Sequence, residues 1–164
     1  MRTKDEFLTL AVSLEGDFEL LAEIQNDNAQ ALTRLAAGAD HSLDLGAWGY
    51  TLHGAYNLLE NYFLRISKFF ENHLPADAWH QELLERMRLN LTPLRPALIE
   101  DRALFEALQD LRGFRHVFRH QYGSRLRRDR LVLVQKAFDL VTQDFPVAHA
   151  RFLARIKAVS EALE

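Results

Sequence analysis

Apolar residues recur at three- and four-residue intervals along most of the chain, and the two-residue alternation of a half-buried strand never persists. Phe7, Ala11, Leu14, Phe18, Leu21, Leu32 and Leu35 form a near-heptad stripe, interrupted by polar Gln25 and Asn28. That stripe predicts a helix from about Thr3 to Ala37, stopped at Gly38. Leu52, Tyr56, Leu59, Phe63, Ile66 and Phe70 predict a second helix, from about Gly46 to His73, ahead of Leu74-Pro75. A shorter third is expected from about Asp77 to Asn90, after which Thr92-Pro93-Leu94-Arg95-Pro96 breaks the chain. The fourth begins near Glu100, buries Leu104, Leu108, Leu111 and Phe118, and ends at Gly123. The last begins near Asp129, with Leu131, Val134, Phe138, Val141, Phe145, Phe152, Ile156 and Val159 at helical spacing and a kink expected at Pro146. No repeat, linker or low-complexity stretch interrupts this order. The expected fold is an all-α, up-and-down bundle of about five helices, forming one domain over residues 1–164.

Composition narrows the chemistry. A chain of 164 residues can bury a substantial core. Cysteine is absent, which removes disulfides, thiol nucleophiles and thiolate metal sites. No apolar leader opens the chain and no apolar run approaches membrane-spanning length, so a soluble, cytoplasmic protein with no membrane partner is expected. There is no Gly-rich phosphate loop, no G-x-S-x-G elbow, no H-E-x-x-H and no Glu-x-x-His pair of the di-iron type.

The net charge is −3, but its distribution says more than its sum. Residues 112–130 hold seven arginines against one acid, Asp129, a local balance of +6, so the rest of the chain carries −9. A basic patch on an acidic body fits a phosphate-bearing or acidic partner. A solvated helix end, where cations are favoured by the dipole, is the plainer reading of the same cluster.

Within that patch, Arg-Gly-Phe-Arg-His-Val-Phe-Arg-His-Gln-Tyr (112–122) crowds cations onto barely three helical turns. Like charges at i,i+4 repel, so a helix that merely filled a core would not carry them. Arginine grips phosphate and histidine moves protons near neutral pH. Arg115 and His120 lie about 7.5 Å apart along a helix axis and roughly 140° around it, so they do not share one face. His116 and His120, at i,i+4, have a zinc-compatible spacing, but Arg115 and Arg119 beside them would repel a divalent cation and no further ligand is evident, so no metal is expected. Gly113, inside the helix, either admits a close neighbour or is a tolerated defect costing roughly 1 kcal/mol against alanine.

The pattern Arg115-x4-His120-x-Tyr122, with His116 directly after the arginine, resembles the signature of HEPN-domain ribonucleases, and most of all that of HepT-like toxins. Leu52-His53-Gly54-Ala55-Tyr56-Asn57-Leu58-Leu59-Glu60 is also similar to a HepT-like segment. The resemblance implies a homodimer in which paired motifs line a composite cleft and cleave RNA without metal or cofactor. His120 would be the acid/base and Arg115 the phosphate stabiliser, with His116, Arg119, Asn57 and Glu60 in support. Glu60 would fix an arginine, unless the stripe His53, Asn57, Glu60 is only a solvated face or core rim. Arg112, Arg125, Arg127 and Arg128, with Arg130, would widen the RNA contact. It further implies a nucleotidyltransferase antitoxin that attaches AMP to Tyr122. A non-catalytic HEPN module binding RNA or nucleotide, a helical protein that docks an acidic partner, and a metal-binding bundle remain alternatives.

Overall fold

The computed structural model describes residues 2–39, 41–71, 79–93, 95–120 and 126–163. Among these, five helices follow one another: α1 (Lys4–Ala36), α2 (Ser42–Phe70), α3 (Trp79–Arg86), α4 (Arg102–His120) and α5 (Arg128–Glu161). The expected helix limits at His73, Asp77 and Gly123 lie outside the described residues. None of the described helices is long and apolar enough to cross a membrane.

The ends of α1 follow from local chemistry. Thr3 Oγ1 accepts from the Glu6 amide, and the Glu6 carboxylate accepts from the Thr3 amide at 2.8 Å, a reciprocal capping box. At the other end Gly38 has φ 95°, and the amides of Gly38 and Ala39 return to the carbonyls of Leu35 and Arg34. These two bonds satisfy carbonyls that the helix would leave orphaned, and glycine reaches the required left-handed backbone without strain.

α2 begins four residues earlier than its apolar spacing predicts. His41 Nδ1 accepts from the Leu43 amide, and Arg34 of α1 grips Asp44 at 2.7 Å. A polar, capped first turn carries no hydrophobic signal. α3 conversely ends at Arg86 rather than near Asn90. Buried Arg95 donates to the carbonyls of Arg86 and Leu89, and its guanidinium pairs with Glu71 just past α2. The chain then folds back, with Leu91 and Arg95 exchanging backbone hydrogen bonds. Arg95 thus takes carbonyls that a longer helix would have used. Glu71 is drawn two ways: burial raises its pKa, but hydrogen bonds and charge from Arg86 and Arg95 outweigh this and hold it below the usual carboxylate value.

Side-chain pairs fix the packing. Asp17–Arg65 and Asn28–Thr51 run α1 antiparallel to α2, while Trp48–Gln135 and Tyr62–His149 run α5 parallel to α2. α4 lies antiparallel on α2 and packs against α5 as well, and short α3 rests on α2 and α4. The apolar stripes meet in one core that includes Leu14, Tyr56, Phe63, Leu108, Phe138 and Phe152. Polar side chains also enter this core, Asn28, Gln135 and His149 among them. Asn28 and Gln135 exchange amide hydrogen bonds at 2.9 Å in each direction, and Trp48 Nε1 donates to the same Gln135 oxygen at 2.7 Å. His149 stacks on Phe18, their ring centres 4.1 Å apart, and shares a hydrogen bond with the Tyr62 hydroxyl. Val159, expected in the apolar face, is exposed instead. α5 continues through Pro146, which costs it a backbone hydrogen bond without ending it.

Candidate functional site

Asp101 Oδ1 caps the start of α4 by accepting from the Leu104 amide. Leu104, Leu108, Leu111 and Phe114 then seat the helix on the core, and Phe118 continues the seam toward α2. The close approach falls at Gly49 of α2. A Cβ there would lie 2.9 Å from Leu126 Cδ1 and 3.1 Å from Phe118 Cε2. Gly113 would meet nothing within 4 Å among the described residues, so no described element of its own chain accounts for it.

This seating carries Arg115 against the polar stripe of α2. Arg115 Nε donates to Asn57 Oδ1 at 2.7 Å, and Nη1 lies 3.5 Å from Glu60 Oε2. The second contact is a charge pairing at a length where no hydrogen bond forms, and Glu60 Oε2 accordingly has no hydrogen-bond partner. Arg115 Nη2 has no partner among the described residues. Glu60 Oε1 accepts from Nδ1 of His80, on α3. One buried carboxylate therefore sits between an arginine of α4 and a histidine of α3.

Further polar groups border this carboxylate. His53 stacks on Phe118 at 5.0 Å, and its buried Nδ1 lacks a hydrogen-bond partner among the described residues. Burial first, then the charges of Arg115 and Arg119, push its pKa below the ordinary histidine value, so the ring is neutral at pH 7. The Tyr56 hydroxyl and Arg112 Nε are also buried without hydrogen-bond partners among the described residues. Burial, then the negative charge of Glu60, raises the Tyr56 pKa, against opposing contributions from Arg112 and Arg115.

His120 lies elsewhere. Its ring is exposed, and Nδ1 meets the His116 carbonyl at 2.8 Å. A carbonyl only accepts, so Nδ1 carries the proton of the neutral ring and Nε2 keeps the basic lone pair. No hydrogen bond or ion pair joins His120 to Arg115, as the angular separation on the helix requires. His116 stands 4.6 Å from His120, centre to centre. Among the described residues, no three His, Cys, Asp or Glu are grouped as a metal ion would need.

Arg119 is exposed and makes no ion pair among the described residues. Arg112 Nη2 donates to Gln109, and Arg127 pairs with Asp129 in a largely exposed contact of the kind worth little energy. Arg128 opens α5 with its side chain exposed. Arg125 and Tyr122 lie outside the described residues. The structure thus brings together Arg115, Asn57 and Glu60, and keeps His120 apart from them. Spacing along the sequence points to Asn57 and Glu60, but nothing in it marks His80, which reaches Glu60 only because α3 folds back over α2.

A family model described as HepT-like protein matches residues 47–156, from the start of α2 into the last third of α5. The chain belongs to the HepT-like family. Its five helices are accordingly an all-α HEPN-like bundle. No curated protein and no solved structure matches it. In this HepT-like chain the matched span holds the whole Arg115–Glu60–His80 cluster, while α1 lies outside it and packs on α2 and α5.

Proposed function

We propose that this HepT-like protein is a metal-independent endoribonuclease of the cytoplasm, acting as a single-domain homodimer and as the toxin half of a toxin–antitoxin pair. The observation that supports the reading best is the Arg115 clamp. Asn57 and Glu60 fix two nitrogens of the guanidinium and leave Nη2 for a phosphate oxygen. An arginine held in this way loses little freedom on binding and meets charge as it develops on the phosphorus oxygens.

The chemistry runs through the substrate's own ribose. His120 Nε2 takes the proton of the 2′-hydroxyl, whose oxygen bonds to the adjacent phosphorus as the bond to the 5′-oxygen breaks and an acid protonates that departing oxygen. The products are a 2′,3′-cyclic phosphate and a 5′-hydroxyl. A second copy of the chain supplies the geometry that one chain lacks, setting one protomer's Arg115 near its partner's His120. Arg112, Arg119, Arg125, Arg127 and Arg128 hold the backbone without reading bases, with His116 beside the acid/base.

Purified protein in EDTA should cleave RNA and leave those ends, and a 2′-deoxy substitution at the scissile ribose should block it. Equal cleavage of the deoxy substrate rules out the mechanism. His120→Ala and Arg115→Ala should each lose most activity while staying folded. The separation of Arg115 from His120 within one chain favours a second reading, a module that binds RNA or nucleotide without cutting it. Tight, salt-sensitive RNA binding with no cleavage at any protein concentration would establish that alternative.

A further inference from the structure

Cleavage through the 2′-hydroxyl needs two proton movements, one off the nucleophile and one onto the departing 5′-oxygen. The Arg-x4-His motif supplies one histidine per chain. From the geometry around Glu60 we infer that His80 is a second catalytic residue, the general acid that protonates the leaving 5′-oxygen. This inference rests on the nuclease reading and names a further member of the same site.

Glu60 is almost fully buried, its side chain 5% exposed, and holds Arg115 with one oxygen and His80 with the other. A carboxylate only accepts, so the His80 Nδ1 proton is committed to Glu60 Oε1. That bond sets the plane of the ring and makes Nε2 the nitrogen through which it exchanges protons, as a buried carboxylate does for histidine in hydrolase triads. The His80 side chain is 41% exposed, whereas that of its orienting partner Glu60 is only 5% exposed. A phosphate drawn to Arg115 Nη2 then has an imidazole one carboxylate away, on the same chain. His120, at the other side of α4, has no comparable orienting carboxylate among the described residues, and its Nδ1 is tied to its own helix backbone.

The balance closes. The bond between O2′ and phosphorus forms and the bond from phosphorus to O5′ breaks. The 2′-hydroxyl proton goes to His120 Nε2, and the Nε2 proton of the His80 imidazolium goes to O5′. Solvent returns both histidines to their starting states.

The test uses a leaving group that needs no proton. RNA with a sulfur in place of the bridging 5′-oxygen expels a thiolate unaided, so loss of a general acid is masked on that substrate alone. In EDTA, His80→Ala should lower kcat on ordinary RNA about 100-fold or more, and stay within about threefold of wild type on the sulfur substrate. His80→Asn, which keeps a donor toward Glu60, should behave in the same way if the proton is what matters. An equal loss on both substrates in both variants would make His80 structural and overturn the inference, as would unchanged cleavage of ordinary RNA by either variant. Wild-type protein that cuts neither substrate would bring down the nuclease reading and the role of His80 with it. Wild type that cuts both, beside variants equally impaired on both, would remove His80 alone.

Discussion

Arg115 and Glu60 face each other across the α2–α4 seam, with 14% of the arginine side chain and 5% of the glutamate side chain left exposed. A guanidinium that shielded owes its position to its partners, and Asn57, which takes Nε, is the neutral one.

Asn57→Ala should therefore misplace Arg115 without removing its charge partner. In single-turnover RNA cleavage the expected loss is about 10- to 100-fold, since displacement of a catalytic group by an ångström has that effect. Thermal unfolding should change by no more than about 1–3 kcal/mol, the scale of one lost hydrogen bond to a charged group. A normal cleavage rate would show that Arg115 keeps its pose without Asn57.

Gly113 is helical, exposed and without a neighbour within 4 Å among the described residues. Alanine there should stabilise the dissociated chain by roughly 0.5–1 kcal/mol, because glycine loses more backbone freedom on folding. A dimer that brings two α4 helices together at this point should be weakened by the same change. Sedimentation of Gly113→Ala should show a raised dissociation constant beside a raised unfolding temperature. Unchanged dimerisation would move the interface away from Gly113.

His149 gives stability a pH dependence. Burial first, against a raising contribution from Glu15 and with a lowering one from Lys157, holds its pKa below the ordinary 6.5. The ring is packed between Phe18 of α1 and Tyr62 of α2, with whose hydroxyl it shares a hydrogen bond. An unfolded chain binds the proton first as the pH falls. Stability is thus fully present above about pH 6.5 and declines as the pH drops toward the depressed folded value. His53 acts in the same sense. The carboxylates held below their usual values, Glu6, Asp44, Glu71 and Asp129, titrate lower still and leave that window clear. Urea unfolding at about pH 7.5 and about pH 5.5 should show the loss, and His149→Gln, which keeps an acceptor for Tyr62, should reduce it. An unaltered difference between the two pH values would acquit His149.

Control through Tyr122 is read from the motif alone, two residues past His120. A partner nucleotidyltransferase should transfer AMP from ATP to its hydroxyl, adding a phosphodiester charge of about −1 beside the arginines that would hold RNA. Tyr122→Phe should keep cleavage and escape silencing, and intact mass after co-expression should show AMP on the wild type only. Equal modification of the mutant would place the target elsewhere.

Helical periodicity determined the number and order of the helices, the end of α1 and most of the core, because burial of a stripe is a local property of spacing. It also placed Asn57 and Glu60 on one face, at i and i+3. Polar first turns and guanidinium caps are silent in such a pattern, so the start of α2 and the end of α3 were decided by His41, Asp44 and Arg95, side chains whose effect depends on partners far along the chain. The same holds for the site. Arg115 and His120 are legible as a pair of chemical types, and helix geometry alone says they diverge. That Arg115 is clamped, that Glu60 joins it to His80, and that the close approach falls at Gly49 instead of Gly113 follow only once α3 and α4 are packed on α2. Charge pairing and steric fit act through space over a few ångströms, between residues that the sequence holds 20 to 77 positions apart.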